Sequence, residues 1–325
     1  MFTIKKTVLS MLLVASVSLS SLQAKDHNLT DVQLHAVMGI ITSFILSPSS
    51  KELALQKIKL YAQSNGNSPV PSIQDYLDAE VTGVDAENLI ELNEGIEYLT
   101  VHEVDTTEEI QVLVDALSSG GSGSSITHNN TTYGIVTSPH TGKVWLDRNL
   151  GASQVCTSFN DTACYGDYYQ WGRNYDGHQS STSSTTSTQA TSVSSAGSSF
   201  RKGSSDWASV DSAGTTRTAS WSATDGTSVC PLGYRVPDID ELEAETVDNG
   251  VTNRATAFFS FLKLPSAGHR NSRHSGTLNG QGSGGYVWSS SVDGSHSHYV
   301  RFSIGYVGSL SYGRANGFAV RCLRE

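Results

Sequence analysis

Residues 230–237 read CPLGYRVP and residues 317–322 read GFAVRC, two short stretches far apart in the chain that each carry a cysteine and an arginine. Cys230 and Cys322 are two of four cysteines, and the others, Cys156 and Cys164, also lie in the C-terminal part. An even number of cysteines in an exported chain reads as a disulfide framework. Three pairings are open. Cys156 with Cys164 and Cys230 with Cys322 is the favoured one, because the first two are close together in a polar stretch and the second bond would tie the chain end to the core. On the loop-entropy model the long closure stabilises the fold by roughly 4 to 5 kcal/mol and the short one by roughly 2 to 3 kcal/mol. A zinc site is disfavoured, since no CxxC spacing occurs.

Export is read from the other end. Lys5 and Lys6 precede an apolar run at 8–19 and a small-residue end at Leu22, Gln23 and Ala24, which together form the pattern of a signal peptide over 1–24. The run is broken by serines and is shorter than the roughly 20 residues of a membrane span. With no cysteine after Ala24 to take a lipid anchor, no membrane insertion is expected after cleavage. The expected location is the periplasm, the cell surface or the extracellular space.

Charge divides the remainder. Residues 25–117 carry 16 acidic and 4 basic side chains, whereas residues 118–325 carry 15 of each. Nucleic-acid binding needs a basic surface and is therefore excluded as an expectation. In 25–117 the apolar residues recur at helical spacing, as at Ile110, Leu113, Val114 and Leu117 behind a capping box of Thr106 with Glu109. Other starts are read at Ser72 with Asp75 and at Asp85, and further helices at 32–46 and 53–61. A small acidic helical bundle is expected, acting as a spacer. The Gly/Ser run at 118–125 reads as a linker. Beyond it, in 126–325, short β-prone stretches alternate with turns at 132–136, 143–146, 285–289, 298–304 and 318–323. Helices are expected at 238–247 and 254–262. At 179–199 nearly every residue is Ser, Thr, Ala or Gly, so a disordered, mobile surface loop is expected. The fold class is α+β.

Four stretches in the C-terminal part carry a resemblance: 142–153 (GKVWLDRNLGAS), 165–179 (YGDYYQWGRNYDGHQ), 230–237 and 317–322. They resemble the FISUMP, or major paralogous domain, family of secreted bacterial proteins, allied in fold to formylglycine-generating enzymes and C-type lectins. Residues 262–270 (LKLPSAGHR) and 284–290 (GGYVWSS) also fit, with His269 where an aromatic is usual. The resemblance implies a loop-rich C-type-lectin-like domain with short antiparallel strands and two helices. It implies little about activity, because the family is largely without assigned chemistry. Trp145 and Trp288 sit on expected strands and read as core. Arg148, Arg173, Arg235 and Arg321 read as internal clamps, paired with Asp147, Asp167, Asp176, Asp238 or a carbonyl.

No catalytic constellation emerges. GxSxG, P-loop, HExxH and EF-hand patterns are missing. The formylglycine-generating relatives oxidise a substrate cysteine with a closely spaced cysteine pair, and Cys322 has no such neighbour. The calcium motifs of typical C-type lectins are also missing. No cofactor and no metal are expected, although His296 and His298 share a strand face. What remains is a ligand face in 269–316, with Arg270, His274, His296, His298, Arg301, Tyr306, Tyr312 and Arg314 as candidates, because Tyr and Arg supply interface hot spots. The expected function is non-catalytic binding or adhesion toward an unknown protein or glycan, with the oxidase and a structural envelope protein as alternatives.

Overall fold

The structure, a computed structural model, describes residues 48–86, 88–118 and 125–325. The expected signal peptide, the apolar stretch at 32–46 and linker residues 119–124 lie outside them. Helix α1 (Ser50–Gln63) buries Ala54, Ile58, Tyr61 and Ala62, a stripe at helical spacing. Helix α2 (Ile73–Asp78) starts at the expected box, in which the Ser72 side chain accepts from the Asp75 amide and Asp75 accepts from the Ser72 amide. Helix α3 (Leu89–Ile96) begins behind Asn88, three residues later than the Asp85 start read from the sequence. Asp85 instead accepts a hydrogen bond from the Asn88 amide at 3.0 Å. Helix α4 (Thr107–Ser118) follows the Thr106 and Glu109 box as expected.

These helices do not form a core of their own. Ile58, Tyr76, Leu92, Ile96, Ile110 and Val114 belong to one apolar cluster with Cys156, Phe159, Cys164, Phe258 and Phe259. Phe259 closes a short helix, α5 (Arg254–Phe259), in the cysteine-bearing half. Its ring lies directly on the backbone of Gly95 in α3, where a Cβ would stand 1.7 Å from Phe259 Cζ. Lys263 Nζ reaches Glu91 Oε1 at 3.0 Å, and Glu103 Oε1 accepts from Thr252 and Asn253. Lys51–Glu325 is accordingly one compact unit. Where a spacer was expected, the helices act as one wall of the core.

Two disulfides join the expected partners, Cys156 to Cys164 and Cys230 to Cys322. The second sits beside an antiparallel sheet whose edge pair is β1 (Ser125–His128) and β2 (Thr131–Thr137). Next to β2 runs β3 (Val144–Leu146), and the last strand, β14 (Leu323–Arg324), enters between β3 and β7 (Tyr234–Arg235). The chain end is thus an interior strand, held by its bond to the residue four before β7. A second sheet takes the order β4 (Tyr169–Gln170), β13 (Gly317–Phe318), β8 (His269–Asn271), β9 (Thr277–Asn279). A third is the meander β10 (Gly284–Asp293), β11 (His296–Ser303), β12 (Tyr306–Gly313). The fold is α+β, as expected. Among the described residues no helix is long and apolar enough to cross a membrane.

All five tryptophans are fully buried. Four find a carbonyl for the indole N–H, as buried indoles require: Trp171 to Ser289, Trp207 to Trp171, Trp221 to Arg173 and Trp288 to Tyr169. The arginine clamps are present with partly different partners. Arg173 pairs with Asp176 as expected, at 2.7 Å, whereas Arg235 pairs with Glu241 and Glu325. Buried Arg321 donates to the Leu146 carbonyl at 3.1 Å.

The expected disorder at 179–199 is corrected by the same chemistry. Strand β5 (Thr185–Thr186) pairs with β6 (Phe200–Arg201), and Ala190 and Ala196 are buried. Arg173 donates to the carbonyls of Gly197 and Ser199, Arg201 to those of Thr188 and Ala196, and Arg270 to those of His178, Ser180 and Ser183. Polar ties to the main chain supply what apolar burial does not. The composition of the segment, poor in large apolar side chains, carried no trace of donors held elsewhere.

Candidate functional site

Alternation along β11 puts Tyr299 and Arg301 on one face and His296, His298, Val300 and Phe302 on the other. In register, Trp288 and Leu310 flank Tyr299, while Tyr286 and Gly308 flank Arg301. The first face carries a cluster of aromatic rings. Phe318 lies beneath it, with ring centroids 4.1 Å from Trp288, 4.8 Å from Tyr299 and 5.1 Å from Tyr286. Tyr286 and Tyr299 stack at 5.9 Å, and His269 lies 4.6 Å from Tyr286. The imidazole thus joins the aromatic cluster, edge-on to Phe318 at 5.8 Å. Burial pushes His269 down to about 4, with the charges of Arg301 and His274 acting in the same direction, so it is neutral near pH 7.

Arg301 is the distinctive group of this face. Its guanidinium is 5.7 Å from the Tyr286 ring centre and 5.5 Å from that of Tyr306, so two phenol rings frame it. Gly308 makes room, since a Cβ there would stand 2.7 Å from the Tyr306 hydroxyl. The Arg301 Nε has no hydrogen-bond partner, and no carboxylate pairs with the side chain among the described residues. At the rim, Arg273 lies over the Tyr312 ring at 5.8 Å, and Tyr306 and Leu310 are exposed to 39% and 37%. Ile304, in the turn between β11 and β12, is 77% exposed.

Of the candidates read from the sequence, Arg301, Tyr306 and Tyr312 share this face. His274 is exposed in the turn between β8 and β9. Two are corrected. Arg270 is 2% exposed and spends its donors on loop carbonyls, with its guanidinium 4.2 Å from the Phe200 ring centre. Arg314 is fully buried against Trp171 and donates to the carbonyls of Ser212, Gly294 and His296. Both hold the fold. His296 and His298 fall on the opposite side of the strand. Tyr286 and Leu310 were missed, although period-two alternation from Tyr299 and Tyr312 across a hairpin leads to both.

Other titratable groups are occupied by structure. Asp176 and His178 form a 2.5 Å pair that looks like part of a proton relay, yet His178 Nε2 accepts from the Gln170 amide at 3.0 Å. Burial lowers this imidazole to about 4 and no face of it is open. All four cysteines are bonded. Among the described residues no group of three or more His, Cys, Asp or Glu is placed to hold a metal ion.

Asp167 is pushed up to about 6 by burial, opposed only by a hydrogen bond from the Tyr169 hydroxyl at 3.4 Å. The unfolded chain gives up this proton near pH 4 and the folded chain near pH 6, so the contribution of Asp167 to stability falls as pH rises between them. Asp167→Asn is therefore expected to stabilise the protein at neutral pH by about 1–2 kcal/mol and to change little at pH ~4. Melting curves at the two pH values check this; an equal shift at both would rule out titration as the cause.

No family model, curated protein or solved structure matches the chain.

Proposed function

We propose that the protein is an exported, non-catalytic binding module, C-type-lectin-like in architecture and related to the FISUMP family, that docks a partner on the β10–β12 face. The observation that carries this is Arg301, a cation framed by Tyr286 and Tyr306 with no carboxylate paired to it among the described residues. Such a group is set to take a carboxylate from outside, in a setting where aromatic and arginine side chains dominate binding energy. Exposed Ile304 and Leu310 beside it favour a protein surface with acidic residues over a sugar. The two disulfides fit an oxidising compartment. An oxidase of the formylglycine-generating type is less well supported, because Cys322 is bonded to Cys230 and both are fully buried.

The test uses the full chain on protein and glycan arrays. Saturable binding to acidic proteins is expected, weakening as salt rises. Arg301→Gln with Tyr306→Ser should then reduce affinity by about tenfold or more, with the melting temperature changed by only a few degrees. Binding confined to glycans would overturn the protein reading. No saturable binder on either array would favour a purely structural envelope role.

A further inference from the structure

Where α4 meets the cysteine-bearing half, a cleft of about 420 Å³ opens on the side of the molecule formed by the helical wall. Val112, Leu113, Pro139, Val251, Phe259 and Phe261 contribute to its lining, and its wall surface is largely apolar. Its polar side chains are Asp115, His140, Glu245, Asn249, Thr256 and Ser260, of which Asp115 and Glu245 are acidic. Asp115, on α4, is exposed at the mouth and accepts from Gln111 at 2.8 Å. His140, also exposed, is another of the lining residues. Glu245 lines the cleft from within and is only 1% exposed.

Glu245 has an incomplete set of partners for a buried carboxylate. Ser138 Oγ donates to Oε2 at 2.6 Å and Thr141 Oγ1 donates to Oε1, both neutral hydroxyls. Buried Arg217 and Arg314, by contrast, have carboxylates or several carbonyls around them. Among the described residues no lysine, arginine or histidine forms an ion pair with Glu245. A carboxylate removed from water is costly unless a positive charge accompanies it, and each of its oxygens retains a free lone pair. A volume in the lower part of the range of small-molecule sites, apolar walls and one sequestered anion define a complementary guest.

We propose that this cleft binds a small hydrophobic amine, its apolar body against Phe259 and Phe261 and its ammonium group at Glu245. The site is separate from the β10–β12 face and does not depend on the partner proposed for it.

Three probes of one shape decide the matter by calorimetry on the full chain: 3-phenylpropylamine, 3-phenylpropanol and 3-phenylpropionate. The amine is expected to bind saturably, the alcohol at least about tenfold more weakly, and the acid not at all, as an ionic contact in an apolar site requires. Glu245→Gln keeps an acceptor for one of the Ser138 and Thr141 hydroxyls, sets an amide donor against the other and removes the charge, and should reduce amine affinity by about tenfold or more. Should that variant fail to fold, Val112→Trp serves in its place: Val112 is 64% exposed, so the larger ring fills the cleft without entering the core and is expected to abolish binding. Equal affinity for amine and alcohol, no saturation by the amine, or unchanged amine binding in either variant would overturn the proposal.

Discussion

Arg217→Met is expected to destabilise the fold by about 3–5 kcal/mol, the loss typical of breaking a buried ion pair by removing one partner. The Arg217 side chain is fully buried at the start of a short helix, Thr215–Ser222. Its two terminal nitrogens grip Asp206 at 2.7 and 2.9 Å, and Nε meets Asp211 at 3.1 Å. Its plane lies between Trp171 and Trp207, 5.4 and 5.2 Å from their ring centres. Methionine retains some apolar volume but leaves Asp206 with Arg314, at 3.5 Å, as its one cation among the described residues, and deprives Asp211 of its cation. Lysine cannot reproduce the fork, so Arg217→Lys should lose a substantial part of the same stability. Adding Asp206→Leu to Arg217→Met should recover some of the loss, because the orphaned charge is then gone. Urea titration reads all of these, with an unchanged slope showing that the denatured state is the same. A loss under about 1 kcal/mol for Arg217→Met would mean that the clamp is an accessory to tryptophan packing and not its support.

The second large effect is expected at the chain end. Cys230→Ala with Cys322→Ala opens a closure between residues 92 apart, and should cost roughly 4 to 5 kcal/mol, against roughly 2 to 3 kcal/mol for the eight-residue closure of Cys156 and Cys164. The long bond holds β14 between β3 and β7, so its loss threatens two strand pairings as well as adding freedom to the unfolded chain. Losses of equal size for the two bonds would contradict the loop-length account. Hydrogen exchange offers a second readout: the Leu146 amide, which donates to the Cys322 carbonyl at 3.0 Å, should lose protection when the long bond is absent.

Much of the architecture was legible where the signal is local. Capping boxes at Ser72 and Thr106, the tryptophans on expected strands and the disulfide partners could all be read from neighbouring residues or from position in the chain. Strand boundaries were read to within a few residues, as for β2, β3 and β11. The stretch at 318–323, read as one strand, is two short ones serving different sheets, β13 and β14, a division that pairing partners far away in sequence decide. The helix at Thr215–Ser222 was not read at all, since Trp221 is its one large apolar side chain and its cap is Gly214. The candidate face was half legible. Tyr306, Tyr312 and Arg301 were recognised by type, whereas Arg270 and Arg314 are the same type with the opposite fate. An arginine is internal when enough carbonyls converge on it, and those of Ser212 and Gly294 reach Arg314 from different loops. No window along the chain contains that convergence.

The serine- and threonine-rich segment is gripped by its peptide oxygens, which every amino acid supplies alike. Its course over the surface therefore rests on main-chain ties that many side chains would allow, and at a few places on particular ones: Gln189 donates to the carbonyls of Asp206 and Ala208, the Ser183 hydroxyl accepts from Arg270, and Ala190 and Ala196 are buried. Substitution at the other positions of this strip leaves those ties in place.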